Sequence, residues 1–125
     1  MSYDIYLTDP VTGETLELDS EHYMAGGTYA IGGTTRMALN VTYNYAPHFY
    51  RVFDRDISNS QTGGIRSIYG LTGAQSLPLL DKAIAALGDD IDEDYWSPTE
   101  GNAKRALLQL RAFATMRPDG IWRGD

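Results

Sequence analysis

The stretch from Ser97 to Pro118 constrains the fold more than any other part of the chain. Ser97-Pro98-Thr99-Glu100 supplies an N-cap hydroxyl, a proline suited to the first helical position and a glutamate at the third, which together start a helix. Ala103, Ala106, Leu107, Leu110, Phe113 and Ala114 then recur at helical spacing, so one side of that helix is apolar and needs a cover. Arg117 suits the negative end of the helix dipole, and Pro118 cannot continue the helix. A second helix precedes it. Thr72 and Gln75 have capping-box spacing, Leu77, Leu80, Ile84 and Leu87 mark its apolar side, and Gly88 stands where a C′ glycine belongs. Pro78 lies several residues inside, so it either marks the true first turn or kinks the helix there.

Two amphipathic helices need a partner layer, and the N-terminal half supplies strand-like sequence. Tyr3, Ile5 and Leu7 alternate with polar residues. Asp9-Pro10-Val11-Thr12-Gly13 is turn chemistry, and Thr15 to Leu18 returns, which predicts a β-hairpin. From Thr35 to Asn44 the alternation is cleaner. Met37, Leu39, Val41 and Tyr43 share one face, and Ala38, Asn40, Thr42 and Asn44 share the other. Gly26 to Gly33 reads as a brief strand or a compact glycine-bounded loop, and Asp54 to Gly64 as an exposed polar loop. Pro47 fits a first helical turn, after which Phe49, Tyr50, Val52 and Phe53 cover one side of a short helix. The expected fold is a single α+β domain over 1–125, in which a small antiparallel sheet packs against two or three C-terminal helices. The N-terminal hairpin and a strand around 36–44 make up that sheet. The tail from Asp119 to Trp122 reads as a turn that returns an aromatic to the body. Trp122, like Tyr95 and Trp96, is expected to lie on the core with its polar tip wet.

Composition removes several classes of function. With no cysteine, disulfides, thiolate metal sites and thiol catalysis are excluded. No apolar run approaches the roughly 20 residues that a membrane helix needs. The first residues, Met1-Ser2-Tyr3-Asp4-Ile5, do not read as a signal peptide, which leads to the expectation of a cytoplasmic protein. The net charge of −7, with ten lysines and arginines scattered along the chain, argues against polymeric nucleic acid as a partner.

The most informative feature for function is the polar ladder Asn40, Thr42, Asn44. Asparagine is poor in strands, so two at alternate positions ask for a reason. Amides and a hydroxyl in a row, flanked by Tyr43 and Tyr45 with Tyr29 as a further aromatic, suit the hydrogen-bonding edges and stacking faces of a base or sugar. Arg36 or Arg66 would meet a phosphate bidentately. The alternative reading of the ladder is the solvated outer face of an antiparallel sheet. The acidic run Asp89-Asp90-Ile91-Asp92-Glu93-Asp94 matches the first three ligand positions of a calcium loop. It then fails, because Tyr95 stands where glycine is required and Gly101 where glutamate is required. It reads better as an acidic lead-in to the last helix. His22 and His48 fall in no catalytic arrangement that the sequence reveals. No catalytic residue, metal or cofactor is implied.

Four segments carry a resemblance: Asn40-Val41-Thr42-Tyr43-Asn44-Tyr45, Gly64-Ile65-Arg66-Ser67-Ile68-Tyr69-Gly70, Trp96-Ser97-Pro98-Thr99-Glu100-Gly101-Asn102-Ala103-Lys104, and Met116-Arg117-Pro118-Asp119-Gly120-Ile121-Trp122. From about Gly26 onward the chain resembles a group of small phage and prophage proteins without a settled activity. Such proteins include anti-defence "sponges", often homo-oligomeric, that capture nucleotide immune signals such as cyclic ADP-ribose isomers, histidine–ADP-ribose or cyclic dinucleotides. The resemblance implies a phage-type, non-enzymatic binder of a small nucleotide-like ligand, assembled as a homo-oligomer in the cytoplasm of an infected bacterium. The alternatives are an inhibitor or adaptor of a host protein, and a hydrolase of such a signal that uses His22 or His48.

Overall fold

A computed structural model describes residues 2–22, 33–53 and 63–125. The strands are β1 (Ser2–Thr8), β2 (Glu17–His22), β3 (Thr34–Arg36), β4 (Ala38–Thr42) and β5 (Ile121–Gly124). The helices are α1 (Ala46–Val52), α2 (Gly73–Ala86) and α3 (Glu100–Met116), with 3-10 segments at Tyr43–Tyr45 and Gly64–Ile68. The architecture is α+β, as expected.

The hairpin expectation holds for the turn and for the first returning residues, where Thr15 bridges Thr8 and Leu16 N donates to Leu7 O (2.9 Å), but not beyond them. Asp9 builds the turn: its carboxylate accepts from Val11 N (2.8 Å) and Thr12 N (3.0 Å), and its N–H donates to Glu14 O (2.8 Å). Beyond Leu16 the returning strand leaves β1. It pairs with β3 in a separate two-stranded sheet, while β1 lies between β4 and β5, antiparallel to both. The reason lies in the sequence of β2, Glu17-Leu18-Asp19-Ser20-Glu21-His22. Its inward groups are only Leu18, half-buried against the core, and the His22 ring on Phe113, too little apolar face to compete for the place beside β1. The place beside β1 goes to β4, whose Leu39 and Val41 are buried. The tail, read as a turn, is β5. Its register sets Leu7 opposite Trp122 and Tyr6 opposite Arg123.

The inner face of the three-stranded sheet carries Tyr3, Ile5, Leu7, Leu39, Val41 and Trp122, all buried beneath the helices. The stripe of α3 is buried as read, with Leu107, Leu110 and Phe113 fully enclosed, each worth roughly 1.5–3 kcal/mol. Its cap lies two residues later than expected. Thr99, not Ser97, accepts from Asn102 N (3.1 Å), so Pro98 precedes the helix and Glu100 is its first residue. Ser97 is used differently, its carbonyl accepting from the Asn102 amide (3.0 Å). The capping box of α2 forms in both directions, Gln75 N to Thr72 Oγ1 (3.1 Å) and Thr72 N to Gln75 Oε1 (3.0 Å). Pro78 lies within α2. The buried line of α2 is Ser76, Leu80 and Ala83, continued by Leu87 just past its end, with Leu77 and Ile84 half-buried beside it. Ser76 faces inward because Trp122 needs it. The indole is fully buried, not a wet lid, and its Nε1–H donates to Ser76 Oγ (2.8 Å), which donates to Gly73 O (2.8 Å).

Candidate functional site

The structure separates the residues that sequence spacing had put in one row. β4 ends at Thr42 and the chain turns into the 3-10 segment, so Asn44 is not on the strand. Thr42 is 1% exposed and caps that turn, its hydroxyl accepting from Asn44 N (3.2 Å). The Asn44 amide donates to Trp96 O (2.8 Å), and the Tyr45 hydroxyl to Tyr95 O. All three therefore bind neighbouring parts of the chain. Asn40 stays on the outer face of the sheet, where its amide spans β1 to reach Ser2 Oγ (2.8 Å) and Asp4 Oδ1 (2.5 Å). The row is a set of separate contacts, in which both asparagine side chains are hydrogen-bonded within the fold. Tyr29 lies outside the described residues, as does most of the glycine-bounded segment and of the polar loop. Gly64, at the end of that loop, is buried.

Two pairs of the remaining residues do meet. Arg36 and Asn40 share a cleft of about 310 Å³ with Asp4, Tyr6, Thr34 and Ala38. Tyr43 and Arg66 share another, of about 290 Å³, with Tyr3, Ala46 and Tyr50. Charge distinguishes them. The first carries the Asp4 carboxylate beside Asn40, and Arg36 Nη2 is engaged with Thr15 Oγ1 (3.2 Å). Among the described residues the second is lined by three tyrosines, an alanine and an arginine, with no carboxylate. Of the two, the second, with its three rings and no described carboxylate, is the better suited to an anion or a flat π-system.

Four elements build that second cleft. Tyr3 comes from the start of β1 and Tyr43 from the turn after β4. Ala46 and Tyr50 stand one helical turn apart on α1, and Arg66 lies in the Gly64–Ile68 segment. Gly64 opens that segment at φ +59°, and a Cβ there would come within 3.2 Å of the Tyr50 ring. A glycine both adopts the backbone conformation and lets the segment approach the ring. The Arg66 guanidinium lies 4.8 Å from the Tyr3 ring centroid and 5.7 Å from that of Tyr43. Its Nη2 donates to the Tyr43 hydroxyl (3.2 Å) and its Nε to the Asp125 main-chain oxygen (2.8 Å). The two rings meet edge to face, 4.6 Å apart. A planar cation is thus oriented against two aromatic faces. Burial pushes the Tyr3 hydroxyl up to about 12, with Tyr50 adding to the rise and Arg66 pulling against it, so Tyr3 is neutral at ordinary pH. Burial also raises the neighbouring Tyr69, whose hydroxyl is enclosed without a hydrogen-bond partner among the described residues.

Tyr3 and Tyr50 are the site residues that sequence reasoning missed. The sequence puts Tyr3 on one face of a strand with Ile5 and Leu7 and Tyr50 on one side of a short helix, and no local pattern joins positions 3, 43, 50 and 66. Neither histidine lines this cleft. His22 contacts Arg36 O through Nε2 (2.7 Å) and packs edge-on against Phe113. His48 Nε2 lies 2.7 Å from Pro98 O while Arg51 Nη2 approaches its Nδ1 (3.4 Å). Since arginine only donates, that Nδ1 accepts and Nε2 carries the proton. In the acidic run, Asp92 and Asp94 accept from Asp94 N (2.8 Å) and Trp96 N (3.0 Å). Among the described residues no three acidic or histidine side chains are grouped to hold a metal ion, and no helix is long and apolar enough to cross a membrane.

No protein-family model matches the chain, and comparison with curated proteins and with solved structures likewise finds no match.

Proposed function

We propose that this protein is a non-enzymatic binder that sequesters a small nucleotide-like ligand in the cleft between Tyr3, Tyr43, Tyr50 and Arg66. One observation carries the reading: a guanidinium held 4.8 Å over one tyrosine and hydrogen-bonded to another, at the edge of an open cleft of about 290 Å³. Arginine presents a planar fork of donors that matches a phosphate, and tyrosine rings offer stacking faces of the kind a base occupies. Among the described residues the cleft brings no oriented nucleophile and base together, which favours capture over cleavage. The ligand class is a nucleotide signal, such as a cyclic ADP-ribose isomer, histidine–ADP-ribose or a cyclic dinucleotide. The setting is a phage-type protein that counters host defence as a homo-oligomer.

The test is a thermal-shift screen with a panel of these nucleotides, followed by mass analysis of ligand recovered from the denatured protein. A shift of several degrees with one member, recovery of that ligand intact, and loss of the shift in Arg66→Lys would support the reading. No shift with any member at millimolar concentration would overturn it, and cleaved ligand would replace capture with hydrolysis.

A further inference from the structure

The connection between α2 and α3 displays what a soluble loop ordinarily hides. Ile91 is 59% exposed, Tyr95 38% and Trp96 43%, within six consecutive residues. Single exposed apolar residues need no account, but a group on a fixed loop does.

The loop is fixed from several sides. The buried Asn102 amide donates to Asp94 O (3.1 Å) and Ser97 O (3.0 Å), and its oxygen accepts from Asp92 N (3.2 Å). The Tyr45 hydroxyl and the Asn44 amide hold the carbonyls of Tyr95 and Trp96. Gly101 lies so close to the main chain of Asp89, Asp90 and Ile91 that a Cβ would stand 2.7–2.8 Å from it. Side chains carried by such a loop lose little further freedom on binding.

The same loop is strongly acidic, with Asp89, Asp90, Asp92, Glu93 and Asp94 in line. It already seats cations. The Arg105 guanidinium stands 4.7 Å over the Tyr95 ring, and Lys104 Nζ meets Asp89 Oδ1 at 2.7 Å. Aromatic faces ringed by carboxylates recognise a cationic side chain by cation–π attraction and charge together. We propose that this loop docks a basic, arginine-bearing segment of another protein, with a guanidinium on the exposed Trp96 ring and the surrounding carboxylates matching its charge. The same carboxylates repel nucleic acid and anionic lipid. This surface uses other residues than the Arg66 cleft and stands or falls separately from it.

Trp122 is fully buried, so a change in tryptophan emission on adding ligand reports Trp96. The probe is a short peptide of alternating arginine and glycine, with a glutamate–glycine peptide of equal length as control. Affinities are measured by calorimetry on the whole protein. The expected result is saturable binding of the arginine peptide alone, weakened by salt and about tenfold weaker in Trp96→Ala. Glu93→Lys, which reverses a charge while keeping the indole, weakens it likewise, and circular dichroism shows both variants folded. Absence of binding, equal binding of the glutamate peptide, or undiminished binding by either variant would overturn the proposal.

Discussion

Replacing Asn102 tests how the α2–α3 connection is held. Its side chain is buried and makes four hydrogen bonds: two donated to the carbonyls of Asp94 and Ser97, and two accepted from Asp92 N and Arg105 Nη2. Each such bond is worth about 0.5–1.5 kcal/mol net. The stranded partners lie near the surface and can take water, so the low end applies and Asn102→Ala should cost about 2–3 kcal/mol. For a chain of this size that corresponds to a fall in Tm of roughly 8–12 °C. Asn102→Asp separates bonding from volume. It keeps the acceptor but turns two donated bonds into contacts between oxygens, beside Asp92 and Asp94. It should be at least as damaging as alanine although it fills the same space. Urea unfolding followed by far-UV circular dichroism gives the stabilities, and tryptophan emission gives the state of Trp96. An alanine variant within 0.5 kcal/mol of wild type, about what a neutral surface substitution costs, or an aspartate variant as stable as wild type, would refute the reasoning.

Three further outcomes follow from the packing. Ser76→Ala strands the buried Trp122 N–H and should cost about 1–3 kcal/mol, and a double-mutant cycle with Trp122→Phe by urea unfolding should show coupling of about 1 kcal/mol. Burial raises the hydroxyls of Tyr3 and Tyr45 from 10.0 to about 12. Both favour the neutral form when folded, so their contribution is complete below pH 10 and is lost as pH rises through 12. Thermal melts across that range, read with tyrosinate absorbance, should show Tm falling as these two ionise. Gly101→Ala sets a methyl against the main chain of Asp89 to Ile91, so it should lower Tm despite alanine's better helix propensity, and a thermal melt checks the sign.

What was legible in the sequence was what depends on near neighbours in the chain. The α3 stripe, the Thr72–Gln75 box and the Asp9 turn are set by spacings of two to four residues, and they formed as read. The alternation of Leu39 and Val41 gave the inner face of β4. The pairing of β1 depended instead on which distant segment had an apolar face to offer, and β5 reaches it from the far end of the chain with one large inward residue, Trp122. A strand of four residues gives too few alternations to read. The ladder failed because alternation cannot say where a strand stops, and β4 stops at Thr42. The Arg66 cleft was half visible, through Tyr43 and Arg66. Its other walls, Tyr3 and Tyr50, come together only through tertiary packing.

The central claim is that the Arg66 cleft holds a nucleotide, and NMR titration tests it most directly. The resonances to follow are the Arg66 Nε–H and the rings of Tyr3, Tyr43 and Tyr50 as the nucleotide panel is added. The account predicts that one nucleotide shifts these together and saturably, and that Arg66→Lys removes the response. Saturable binding that leaves these four residues unmoved, or no response to any nucleotide at millimolar concentration, would contradict it.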